Sequence, residues 1–232
     1  MTRKTFAFVV YPGLTILDLA GPLQVLTSFA AADPSVRVAV VGETLETTET
    51  DTPLRIAPSH TFDQVPDPSW VLVPGGGAPT LRALGDEKLI GYLRQAAKSA
   101  ELMTSVCTGS LLLGQAGLLE GREATTHWTF LDALRAFGAT PVRQRWADSG
   151  PVITAAGVSA GIDLALHLVE RMSGTDAARL VQFGIEYDPR PPLGPLDWSL
   201  APHEGMRPFV DRTVREGLAD QPELREKLLA SR

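Results

Sequence analysis

The stretch LMTSVCTGSLLL, residues 102–113, leaves the chain few choices. An apolar run from Leu102 to Val106 ends at Cys107, and an apolar segment of helical length opens at once with Thr108. That pattern is a buried strand entering a helix through a very tight turn. Turns of this kind raise one side chain at the carboxyl edge of a sheet, as in the nucleophile elbow of α/β hydrolases. Here the raised group is a thiol. It stands at the amino end of a helix, where unpaired N–H groups and the helix dipole favour the thiolate. A lone cysteine at a strand end is more often inert packing than a nucleophile, so the thiol needs support from the rest of the chain.

Short apolar runs alternate with helical segments from the start. Thr5 to Val10 is β-rich and reads as a first strand, not a signal peptide, because Pro12-Gly13 breaks it early. In the segment that follows, Thr15 can cap a helical turn, and Pro22 suits the first turn of a further helix after Gly21. Val36 to Val41 is a second strand, and residues 43–53 form a hairpin or edge excursion closing near Leu54 to Ala57. Trp70 to Val73 is a strand running into Pro74-Gly75-Gly76-Gly77, and Glu87 to Ala100 is an amphipathic helix. After the elbow come a strand over Arg122 to Thr126 and a helix over Thr129 to Phe137. A strand pair covers Pro141–Trp146 and Pro151–Ala155, and helices follow over 157–172 and 176–183. Five prolines between Pro189 and Pro202 exclude regular structure there, and a polar helix runs on from Met206. The alternation predicts an α/β fold with a mostly parallel, helix-covered sheet. Residues 1–202 form the α/β domain, and 203–232 a helical extension of it. Ligands bind such sheets beyond the carboxyl ends of the strands, the edge onto which the glycine run and Cys107 both open.

The net charge of −6 and pI near 5.2, with no basic block, argue against nucleic acid and anionic membranes as partners. No apolar stretch approaches the ~20 residues a membrane span needs. One cysteine permits no intrachain disulfide and fits a reducing compartment, so a cytoplasmic location is expected.

Asp18 is the one charge inside an apolar helical segment. A buried carboxylate is costly unless paired or protonated, although a helix-terminal or solvent-facing position would make it ordinary. If it faces Cys107, burial would raise the acid's pKa while the helix terminus lowers the thiol's, and the two would share a proton. His127 is the alternative partner. It could orient a substrate, polarise a thiolate, or fill a structural role. Backbone N–H groups at Gly75, Gly76 and Thr108 are candidates for holding negative charge, by the logic of an oxyanion hole. His60, His167 and His203 lack metal-ligand spacing, so no metal site is assigned.

The segments DLAGPLQVL, VLVPGGG, SVCTGSLLLGQAGLLEGREATTHW and AAGVSAGID resemble the ThiJ/PfpI (glutamine-amidotransferase-like) superfamily, and within it the branch that hydrates isocyanides. The likeness runs from about Thr5 to Pro192. It implies a flavodoxin-like three-layer sandwich, a homodimer, and an elbow cysteine in a strained backbone conformation. It also implies Cys107 as nucleophile, Asp18 as its acid partner, and Thr108 beside the thiol. The protease-like branch places His directly after the cysteine, where Thr108 stands. The amidotransferase branch uses a late His-x-Glu pair, which this chain lacks. Many glyoxalase or deglycase relatives carry Glu where this chain has Asp18.

The expected activity is hydration of a small-molecule isocyanide to an N-substituted formamide through a covalent thioimidate on Cys107. No cofactor is required, because the isocyanide carbon is already electrophilic. A glyoxalase-type enzyme stays open as an alternative. So does a ligand-sensing domain like those of AraC-type regulators. The thirty or so residues after Pro202 hold no basic recognition helix.

Overall fold

The computed structural model describes residues 3–231. Strands β1 (Lys4–Val9) and β2 (Val36–Gly42) flank helix α1 (Ile16–Ala32). A short excursion pairs β3 (Thr48–Glu49) with β4 (Arg55–Ile56), and β5 (His60–Thr61) returns to the main sheet. β6 (Trp70–Val73) leads into α2 (Ala78–Ala83) and α3 (Glu87–Ala96), and β7 (Leu102–Val106) into α4 (Gly109–Gln115). β8 (Glu123–Ala124) and β9 (Thr140–Pro141) bracket a 3-10 helix, Trp128–Phe137. β10 (Trp146–Asp148) and β11 (Val152–Ala155) precede α5 (Ala160–Ser173) and α6 (Thr175–Gly184). α7 (His203–Gly217) and α8 (Pro222–Ala230) follow.

The main sheet has the order β10-β11-β7-β6-β1-β2-β5, and every neighbouring pair except β10–β11 is parallel. Helices α1, α5 and α6 pack together on one side, and α2, α4, α7 and the 3-10 helix on the other. The result is the α/β three-layer sandwich of flavodoxin-like proteins. β6 and β7 are buried at every position, and β1 at all but Lys4, because helices cover both faces of these strands. That is why they read as continuous apolar runs without alternation. Thr104 is tolerated inside because its hydroxyl donates to the Val71 carbonyl at 2.7 Å. β1, β6 and β7 lie side by side, so the turns that leave them converge on one edge.

Several expectations need correction. Pro22 does not begin a new helix, since α1 runs unbroken through it. Having no N–H, Pro22 leaves the Asp18 carbonyl without its helical donor. Gly21 is there for packing: a Cβ would sit 2.8 Å from Ile162 of α5. Thr15 occupies the N-cap of α1 but caps nothing with its side chain, and the Ile16 N–H goes to the Asp51 carboxylate instead. The strand expected over 122–126 is only Glu123–Ala124. Beyond it, the Thr125 N–H donates to the Thr154 hydroxyl and the Thr126 hydroxyl to the Cys107 carbonyl, so both are drawn out of ladder pairing. The helix expected over 129–137 is a 3-10 helix, whose three-residue turn aligns buried Phe130, Ala133 and Ala136. Residues 142–145 are not strand. The proline-rich segment contains one 3-10 turn, Trp198–Leu200, and the final helical region starts at His203 and is two helices. Helix α2, just after the glycine run, was unforeseen. Among the described residues no helix is long and apolar enough to cross a membrane.

Candidate active site

The elbow is built where β7 ends. Cys107 has φ = +56°, one of two non-glycine residues with positive φ among those described, the other being Glu186. A left-handed backbone on a side-chain-bearing residue costs about 1–3 kcal/mol and persists only where neighbours over-determine it. Here they do. The Cys107 N–H is shared between the Ala155 and Ala156 carbonyls at 3.1 and 3.2 Å. Its carbonyl accepts from the Thr126 and Ser110 hydroxyls at 2.8 and 3.2 Å. The next turn requires Gly109, because a Cβ there would lie 2.2 Å from the Val73 carbonyl oxygen. Cys107 as a residue is left 5% exposed.

Helix α1 carries Asp18 into the same edge, fully buried. Its Oδ2 accepts from the Gly75 N–H at 2.9 Å. Its Oδ1 has no hydrogen-bond partner of good geometry among the described residues, and the carboxyl as a whole acts on the Cys107 thiol and on Tyr11. Burial pushes the Asp18 carboxyl up to about 7, against the opposing pull of the Gly75 N–H and the thiol. Burial also pushes the Cys107 thiol well above its ordinary range, and the Asp18 charge adds to the rise. The Thr108 N–H opposes this without overcoming it. The expectation that the helix terminus depresses the thiol therefore fails. α4 is only seven residues long, and desolvation outweighs its amino end. The two groups titrate as a pair, losing a first proton near neutrality and the second far above it.

The glycine run serves this pair differently from the expectation. The Gly75 N–H is committed to Asp18, and the Gly76 N–H to the Thr108 hydroxyl oxygen at 3.0 Å. Neither N–H is free to hold a developing anion, so the oxyanion role expected of them does not fit. They hold the side chains that flank the thiol. Gly75 admits no other residue, since a Cβ would meet Thr108 N at 2.5 Å, Thr108 Oγ1 at 2.6 Å and Asp18 Oδ2 at 3.0 Å.

His127 packs against Gly157, where a Cβ would come within 2.2 Å of its ring. Its Nδ1 accepts from the Thr129 N–H at 3.4 Å and faces the Thr129 hydroxyl at 2.7 Å. Burial lowers its pKa, which leaves a neutral ring with the proton on Nε2. No hydrogen bond joins it to Cys107 among the described residues. The structure thus brings Asp18, Thr108, Gly75 and Gly76 together beside the thiol, and the hydrogen bonds of His127 go to Thr129 instead. Sequence reasoning missed Tyr11 and Thr80, which stand behind Thr108. Tyr11 looked like part of a strand-breaking turn, and Thr80 fell in a stretch with no assigned element. Among the described residues no group of three or more His, Cys, Asp or Glu is placed to hold a metal. A buried thiol and a carboxyl sharing protons near neutral pH can supply, together, a nucleophile and an acid.

Residues 4–171 match the profile of the DJ-1/PfpI family. Over 186 residues the sequence is 43% identical to the isonitrile hydratase of Pseudomonas putida, covering 80% of this chain and 79% of that protein. The crystal structure of a ThiJ/PfpI family protein from Pseudomonas syringae matches with a TM-score of 0.84 and 34% identity, over 100% of this chain and 91% of its own. A shorter likeness, 38% over 104 residues, is to the HTH-type transcriptional regulator CdhR of Pseudomonas aeruginosa, covering 44% of this chain and 31% of the regulator.

Proposed function

The chain belongs to the DJ-1/PfpI family, and from that premise we propose that it hydrates an isocyanide to an N-substituted formamide, with Cys107 as nucleophile and Asp18 as acid. The observation that carries the reaction is the likeness to an isonitrile hydratase over four fifths of the chain. The buried Asp18–Cys107 pair supplies a mechanism for it.

Once the pair has lost its first proton, the remaining one can sit on Asp18 while the sulfur is a thiolate. The thiolate attacks the terminal carbon of R–N≡C, forming a C–S bond, and Asp18 protonates that carbon to give the thioimidate R–N=CH–S. The Asp18 carboxylate then takes a proton from water as the oxygen attacks the same carbon, and the water's second proton ends on nitrogen. Collapse of R–NH–CH(O⁻)–S breaks the C–S bond, releases R–NH–CHO, and returns the thiolate beside a protonated Asp18. Water is the only co-reactant in this balance.

The test is to incubate the protein with a small alkyl isocyanide, follow formamide, and take intact masses after rapid quenching. Formamide production and a transient adduct of one substrate mass are expected in the wild type, with both absent from Cys107→Ala while the fold stays cooperative. Turnover by folded Cys107→Ala at a near-normal rate would end the covalent mechanism. The likeness to CdhR favours a second reading, a ligand sensor. It predicts an unchanged ligand and no adduct at any time. Glyoxal consumption without isocyanide turnover would point to the glyoxalase-type chemistry instead.

A further inference from the structure

Behind Thr108 lies a set of buried hydroxyls that the mechanism above does not use. The Tyr11 hydroxyl donates to the Pro74 carbonyl at 2.8 Å. It also lies 2.9 Å from Thr80 Oγ1, and Thr108 Oγ1 lies 3.1 Å from the same Thr80 oxygen. All three residues are buried. A carbonyl only accepts, and tyrosine has one proton, so Tyr11 must give that proton to Pro74. Thr80 must then donate to Tyr11, and Thr108 to Thr80. The order of donors has no alternative while all three bonds stand. Burial keeps Tyr11 protonated at any working pH. With its proton committed to Thr80, Thr108 turns a lone pair to the Gly76 N–H. The peptide before that N–H is the one whose own N–H, on Gly75, grips Asp18.

We propose that Tyr11 and Thr80 are positioning residues for the Cys107–Asp18 pair: their hydroxyls form a one-way hydrogen-bond chain that holds Thr108, and through it the Gly75–Gly76 backbone, against both groups. The chain is structural fact, and its bearing on catalysis rests on Cys107 and Asp18 being the reacting pair. Neither Tyr11 nor Thr80 touches the substrate in this scheme. Breaking the chain frees the Thr108 rotor and slackens the Gly75 hydrogen bond to Asp18. That bond favours the carboxylate, so weakening it makes Asp18 harder to deprotonate.

Because Cys107 is the only cysteine, alkylation by iodoacetamide reads this site alone, without any assumption about substrate. The experiment compares the pH dependence of alkylation, the melting temperature and isocyanide kinetics for wild type, Thr80→Val, Thr80→Ser and Tyr11→Phe. Thr80→Val keeps the shape and deletes the hydroxyl. It should move the rise in alkylation rate to higher pH by roughly half a unit or more, and lower kcat about tenfold with KM within about twofold. Thr80→Ser should restore both, and Tyr11→Phe should move the rise in the same direction as Thr80→Val. A folded Thr80→Val with the wild-type profile, or a Thr80→Ser no better than Thr80→Val, would overturn the proposal. If Thr80→Val does not fold, an unchanged profile in Tyr11→Phe overturns it and a shifted one supports it. A wild type that never turns over isocyanide defeats the hydratase reading alone, and the alkylation profiles still decide the relay.

Discussion

Asp18 is a carboxyl removed from water, and a pKa near 7 is the consequence. Two effects of pH follow. For activity, the pair must lose one proton before sulfur can attack, so kcat/KM should climb as pH rises through about 7, and this limb should vanish in Asp18→Asn along with most turnover. A folded Asp18→Asn with near wild-type turnover would remove the residue from the mechanism. For stability the sign runs opposite to that of a salt-bridged aspartate. The folded carboxyl holds its proton up to about 7 while the unfolded one loses it near its ordinary value of 3.8. Between those values the native state binds more protons, so stability attributable to Asp18 is full at low pH and is lost as pH rises. Asp18→Asn carries no such penalty. Its melting temperature should therefore gain on the wild type between pH 4.5 and 7.5, where a purely structural aspartate would make the variant less stable. Differential scanning calorimetry at the two pH values distinguishes them.

The element that matters most is the loop after β6, and its glycines are not interchangeable with others in the chain. At Gly75 a Cβ would press on Thr108 and Asp18 together. Gly75→Ala should cost about 1–3 kcal/mol of stability and reduce turnover at least about a hundredfold, since the clash falls on the groups that flank the thiol. Gly91, inside α3, has nothing within 4 Å of a built Cβ. There Gly91→Ala should raise stability by about 0.5–1 kcal/mol and leave turnover alone, through helix propensity and the entropy of the unfolded chain. Chemical denaturation of both variants beside activity assays tests the contrast. The elbow obeys the same logic, with Gly109 held against the Val73 carbonyl by backbone closeness and not by any need for an unusual φ.

At the scale of the molecule, the carboxyl-terminal helices bear on whether 203–232 is an extension of one domain. Val214 of α7, Leu218 just after it, and Leu228 of α8 are fully buried and continuous with the core beneath the sheet. Gly217 lies so close to α2 that a Cβ would sit 2.6 Å from Leu81. We propose that these helices fold with the sandwich as one cooperative unit. Leu218→Ala should then lower global stability by about 2–5 kcal/mol within a single transition. A separate early transition, with the main one unmoved, would assign them to a unit of their own.

What the amino-acid order determined by itself is whatever depends on neighbours along the chain. The continuous apolar runs at β1, β6 and β7 marked buried parallel strands, the 102–113 stretch marked an elbow at Cys107, and Asp18 stood out as a charge in an apolar helix. The residues of the glycine run were also visible, but not what their N–H groups do. Tertiary structure alone decided that the thiol's ionisable partner is Asp18 and not His127, and that both Gly75 and Gly76 are committed to side chains. It alone set the thiol's pKa upward and assembled the Tyr11–Thr80–Thr108 chain. The physical reason is range. A helix end or an apolar run is written in a few consecutive residues, whereas the Asp18–Gly75 bond spans 57 positions and the Tyr11–Thr80 bond 69. Desolvation, which outweighed the helix terminus at Cys107, is a sum over atoms that only the closed sandwich brings together.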